Sequence, residues 1–125
     1  MVGVTLDTGA LIALDRGGQR MRLVVLAARA RGARITVPAS VVVEWWRGQR
    51  GPAARLLDAI DVEPLTRDLA RVAGEALARH SGGASPTDAV VMASAAQRGD
   101  VVYTSDVEDL EPLRDTFRSV RVLGV

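Results

Sequence analysis

Residues 2–14 read VGVTLDTGALIAL. The first five form a short apolar, β-branched run that halts at Asp7, and the next seven place apolar residues at helical spacing. That is a strand running into a helix, with one carboxylate at the junction. The alternation continues along the chain. Residues 19–31 pack an apolar face of Met21, Leu23, Val24, Val25, Leu26, Ala27 and Ala28, flanked by Arg20, Arg22, Arg29 and Arg31, and stop at Gly32, as a helix does. Residues 35–37 predict a second strand closed by Pro38, and Ser40 is a plausible N-cap for a helix through VVVEWWRG. A turn at 48–52 precedes a helix over 53–60, and 62–65 predicts a short strand. Thr66 caps an amphipathic helix through Arg79, a loop covers 80–84, and 86–98 is apolar nearly all round, hence buried. A strand over 101–104, a helix over 107–115 and a strand over 120–123 complete the pattern.

Strands that alternate with helices and are apolar on both faces belong to a parallel sheet covered on both sides, so the predicted class is α/β. Functional sites in such sheets lie beyond the carboxyl ends of the strands, where strand order reverses. Asp7 and Asp106 both follow strands at that edge.

The 125 residues, 48% hydrophobic, predict one domain spanning 1–125. No apolar run is long enough to cross a bilayer and no secretion signal opens the chain, which predicts a cytoplasmic protein with no membrane partner. There is no cysteine, and all 16 basic residues are Arg. The net charge of +1 conceals a split: residues 1–55 carry nine Arg against three acids, a net of +6, and the remainder is net negative. A polyanion meeting a basic surface and an acidic pocket would fit this split, as would a solvated surface.

Several chemistries are excluded by residue type. Without Lys there is no phosphate-binding P-loop and no receiver-type phosphoacceptor site. His80 is the one histidine, so a metal-free ribonuclease with two neutral-range proton carriers is ruled out. No G-x-S-x-G elbow or G-x-G-x-x-G fingerprint occurs. What remains is carboxylate chemistry with a hard divalent cation. Asp7, Glu44, Asp88 and Asp106 stand at the ends of apolar runs, and such a set can hold Mg²⁺ or Mn²⁺ to activate water against a phosphodiester. Each has a local alternative. Asp7 and Asp106 are N-cap candidates, with Ser105 and Glu108 competing at the latter; Asp88 sits in a capping box with Ser85. Glu44, between VVV and WW in a segment that reads as buried, has Arg47 as its ion-pair alternative. Trp45 and Trp46 diverge by about 100° on a helix. One is read as core, the other as an anchor for a protein partner in preference to a stacking platform for RNA. Arg16, Arg20 and Arg22 are read as solvated.

LDTGALIAL, PASVVVEWWRG and SPTDAVVMASAAQRGDVVYTSDVEDL, in that order and spacing, resemble the PIN-domain family, specifically its VapC-type toxin ribonucleases. The resemblance covers the whole chain. It implies a three-layer α/β/α sandwich with a mostly parallel sheet of about five strands. It assigns Asp7, Glu44, Asp88 and Asp106 to the acidic quartet, Thr104 to the polar position before the last Asp, and Asp109 to a further metal-binding position. By the same resemblance the protein is an Mg²⁺- or Mn²⁺-dependent endoribonuclease acting on RNA. A cognate antitoxin would inhibit it, and it would form a homodimer and a toxin-antitoxin hetero-oligomer. The modest net charge is compatible with selecting one structured RNA by shape. Two other readings stay open: a catalytically silent PIN-like module that binds RNA or protein, and, from LDTGA, an aspartic protease, which the long helical periods oppose.

Overall fold

Five strands lie side by side in the order β3-β2-β1-β4-β5: β1 (Val4–Leu6), β2 (Ile35–Pro38), β3 (Asp61–Glu63), β4 (Val101–Thr104) and β5 (Val122–Gly124). Every neighbouring pair is parallel. This computed structural model describes residues 1–80 and 82–125. Parallel neighbours cannot be joined by a tight turn, so helical segments make each crossing. These are α1 (Thr8–Asp15) and α2 (Gln19–Ala30), then α3 (Ala39–Trp45) and α4 (Pro52–Ala59), then α5 (Arg67–Ala78) and α6 (Pro86–Arg98), and last α7 (Val107–Leu110). The helices flank both faces of the sheet, giving the expected α/β/α sandwich.

Burial follows from that layering. β1 and β2 are buried along their whole length, while edge strand β3 is polar and largely exposed. Seven consecutive residues of α6, Ala89 to Ala95, are buried, as its all-round apolar sequence requires. A capping box starts α6, and Gly99 ends it in the left-handed conformation (φ 73°) that glycine adopts without a Cβ penalty. Among the described residues no helix is long and apolar enough to cross a membrane.

Several boundaries differ from the sequence expectation. Helix α3 begins at Ala39 with Pro38 as its N-cap, so Ser40 lies inside the helix and caps nothing. It ends at Trp45 instead of running to Gly48, because Gln49 takes over: its Nε2 donates to the Trp45 carbonyl at 2.9 Å and its Oε1 accepts from the Arg47 amide. The helix expected over 107–115 stops at Leu110 and tightens into a 3-10 turn, Glu111–Leu113, where Pro112 has no N–H to continue the ladder. Strand β5 starts two residues later than expected, and β3 starts one residue earlier.

The strand order reverses between β1 and β4. From β1 the chain steps outward to β2 and β3, then returns to the other side of β1 for β4 and β5. Leu6 pairs with Tyr103, and the Asp7 amide donates to the Tyr103 carbonyl at 3.2 Å. The carboxyl ends of β1 and β4, and the residues that follow them, therefore sit side by side.

Candidate metal centre

At that reversal a cleft of about 310 Å³ opens, lined by Asp7, Glu44, Asp88, Asp106 and Asp109 together with the polar residues Thr8, Ser85, Thr87 and Ser105. Four segments deliver the five carboxylates: the β1–α1 junction, the last turn of α3, the first turn of α6 and the start of α7. No basic side chain lines the cleft among the described residues. A slightly larger cleft, about 390 Å³, lies beside Gly3 and Arg34, but its one acid, Asp100, is already paired with Arg98.

Local hydrogen bonds fix three of these carboxylates. Asp7 caps α1, its Oδ1 accepting from the Ala10 amide at 2.8 Å. Asp88 completes the capping box: its Oδ2 accepts from the Ser85 amide at 3.0 Å while Ser85 Oγ accepts from the Asp88 amide at 3.1 Å. Asp106 caps α7, its Oδ1 accepting from the Glu108 amide at 3.1 Å, so Asp106 and not Ser105 is the cap. The cap occupies one oxygen in each case, and Asp7 is held by the Thr104 hydroxyl as well. A carboxylate has two oxygens with about four lone-pair sites, so capping leaves ligand capacity intact.

Glu44 departs from expectation. It is exposed, and it makes no ion pair with Arg47; its Oε1 accepts from the Thr8 hydroxyl at 2.5 Å. Helical period explains the difference: Val41 and Trp45, four apart, face the core, which turns Val43 and Glu44 outward. Thr104 does not line the cleft. It is fully buried beneath it, its hydroxyl accepting from the Asp106 amide at 3.0 Å. Thr8, which sequence reading passed over, supports Glu44; the available signal was a hydroxyl beside Asp7 in the first turn of a helix. Of the two tryptophans, Trp45 is buried and donates from Nε1 to Asp15 at 3.3 Å, whereas Trp46 is half-buried.

The electrostatics are those of crowded anions. Burial pushes the Asp7 carboxyl above its ordinary range, against the Thr104 hydroxyl and the Ala10 amide, and the charges of Asp88 and Asp109 push it the same way. Burial likewise raises Asp88 against its two bonds with Ser85, aided by Asp109 and Glu44. An all-oxygen, cation-free donor set of this kind suits a hard divalent ion. Among the described residues no three acidic side chains converge tightly enough to grip an ion unaided.

A parallel α/β sandwich with an acidic, oxygen-only cleft at its topological switch point is thus defined by sequence and geometry together. The profile described as PIN domain matches residues 4–111, and the chain belongs to that family. PIN domains are in general nucleases that use divalent metal ions. Among solved structures, the DNA-bound VapBC of Salmonella typhimurium is similar at TM-score 0.73 and 18% identity, over 99% of this chain and 98% of that one. VapBC2 of Rickettsia felis bound to a promoter DNA fragment gives 0.70 and 11%, over 100% and 99%. FitAB bound to an IR36 DNA fragment gives 0.67 and 15%, over 97% and 94%. No curated protein matches the chain significantly.

Proposed function

We propose that residues 1–125 act as one PIN-like unit, a metal-dependent endoribonuclease of VapC type that serves in the cytoplasm as the toxin of a toxin-antitoxin pair. The observation that carries this reading is that five carboxylates, with no basic side chain among the described residues, line the switch-point cleft of a PIN fold. Asp7, Asp88, Asp106 and Glu44 would hold the ion, with Asp109 contributing directly or through water. Bound Mg²⁺ or Mn²⁺ would neutralise charge on the scissile phosphodiester and lower the pKa of the attacking water. The protein's own part is positional. Asp7 forms the buried floor of the cleft, held by Ala10; Ser85 and Glu108 hold Asp88 and Asp106; Thr104 fixes the Asp106 backbone; Thr8 aims Glu44.

A cognate antitoxin is proposed from the likeness to VapBC and FitAB complexes. Leu23 and Leu26 on α2 and Val43 on α3 are about 60%, 60% and 75% exposed, and offer such a partner apolar surface. A homodimer is proposed from the family resemblance alone. Purified protein should cleave cellular RNA, lose the activity in EDTA and regain it with Mn²⁺. Cleavage indifferent to chelation would refute the metal mechanism, and RNA bound but never cut in excess Mn²⁺ would favour the silent module. Asp7→Asn, Asp88→Asn and Asp106→Asn should each keep the fold and lose nearly all cleavage.

A further inference from the structure

Beyond Glu44 the chain turns from acidic to basic. Helix α3 ends at Trp45, and the loop 46–51 presents Arg47 and Arg50 to solvent, with Arg55 exposed one turn into α4. The loop is braced. Gln49 bonds both the Arg47 amide and the Trp45 carbonyl, and Gly48 and Gly51 hold positive φ values of 75° and 70° that a Cβ-bearing residue would adopt only under strain. Arg47 is braced as well: its Nη1 donates to the Val43 carbonyl at 3.0 Å and the Trp46 carbonyl at 2.7 Å.

That leaves the other edge of the guanidinium, Nε and Nη2, without a protein partner among the described residues. This is the two-donor fork that matches an oxyanion bidentately. Arg47, Arg50 and Arg55, like most of the arginines, make no ion pair among the described residues. The Val43 carbonyl that Arg47 holds is joined to the Glu44 amide, which sets this guanidinium beside the Glu44 backbone. A polyanion entering a cleft of five carboxylates is repelled, and a pre-ordered guanidinium at the rim offsets that repulsion.

We infer that Arg47 and Arg50 form a phosphate-binding rim that holds the backbone of single-stranded RNA against the acidic cleft. The inference rests on the ribonuclease reading above. Its test measures binding of a short fluorescent single-stranded RNA by anisotropy across a salt series without divalent metal, and steady-state cleavage with Mn²⁺. Wild type is compared with Arg50→Ala, with Arg47→Ala/Arg50→Ala, and with Arg67→Ala/Arg71→Ala on exposed positions of α5.

The double rim variant should bind roughly tenfold more weakly at low salt and flatten the slope of log K against log salt by roughly 1.4, since each phosphate contact to a single strand contributes about 0.7. Its cleavage loss should fall on KM more than on kcat. Arg50→Ala, which breaks no loop hydrogen bond, should show about half the slope change. The α5 pair should match wild type. Unchanged salt slopes in both rim variants, or a loss confined to antitoxin binding, would overturn the rim while leaving the nuclease standing. Wild-type protein that neither binds nor cuts RNA would overturn both.

Discussion

Asp7 caps α1 through Ala10 and lines the cleft at the same time, so capping does not remove it from the candidate site. The cost is electrostatic. Burial raises the Asp7 carboxyl, so the native state holds its proton more tightly than the unfolded state does. Stability contributed by that proton is present at pH below the ordinary aspartate range and lost as pH rises through it to the raised native value. Asp7→Asn caps about as well and carries no charge. In EDTA at neutral pH it should therefore melt above wild type, and the gap should close as pH is lowered through the aspartate range. A gap constant with pH would mean the gain has another origin. Gly9 is the second sensitive residue. A Cβ there would stand 1.9 Å from Ser105 Oγ and 2.9 Å from Ser105 Cβ, forcing α1 away from the β4–α7 junction. Gly9→Ala should cost ~1–3 kcal/mol, the range for overpacking. It should also cut kcat at temperatures where the protein remains folded, measured against its urea curve. Normal kcat in that variant would show that the α1 approach does not set the cleft geometry.

At the scale of elements, the largest feature absent from the sequence reading is a polar cluster beneath α6. Arg98 donates from Nε to Asp100 at 3.0 Å, from Nη2 to Thr5 at 2.7 Å, and from Nη1 to Ser94 at 2.8 Å and to Glu63, so one side chain ties α6 to β1, β3 and the start of β4. Asp100 also accepts from Thr5, and a Cβ on Gly3 would meet its Oδ1 at 2.6 Å. Removing one partner of a buried ion pair strands the other, and Asp100 is only 5% exposed. Arg98→Ala should lower stability by ~3 kcal/mol in urea titration. Metal-dependent cleavage should survive below its melting point, because the cluster sits apart from the acidic cleft. Stability within error of wild type would mean the cluster is solvent-compensated. The partners of Arg98 lie up to 93 residues away, so no local pattern announces them. Strand-helix alternation is local, which is why β1, α1, α6 and β4 could be read from residue order. Pro112 shows an intermediate case: it is visible in the sequence and stops α7, yet the apolar spacing of 107–115 suggested continuity. Glu44 misled for a similar reason. Its apolar neighbours implied burial, but Val43 itself is 75% exposed, so the apolar run around it does not mark a buried face.

Across the whole molecule, the carboxylates come from segments that only the folded chain brings together, so the proposed metal binding would be coupled to folding. An ion that binds the native state alone stabilises it by about 2.7 kcal/mol at a hundredfold excess over Kd. Without metal the crowded acids weaken the fold, since Asp7 and Asp88 are both pushed up by burial and by neighbouring charge. The two effects have opposite sign, so their order should invert with metal. In EDTA at neutral pH, Asp7→Asn should melt above wild type; as Mn²⁺ is added, the wild-type curve should climb and overtake it, while the variant moves little. Glu44→Gln should keep part of the Mn²⁺ response, because Glu44 is exposed and reaches the cleft from its rim, aimed by Thr8. Thermal melts of the three proteins across a Mn²⁺ series separate the possibilities. Parallel shifts in all three would place the ion elsewhere on the surface. A wild-type curve that never crosses that of Asp7→Asn would mean that the cleft's charge is not relieved by a cation, and the acidic cluster would then need a different explanation.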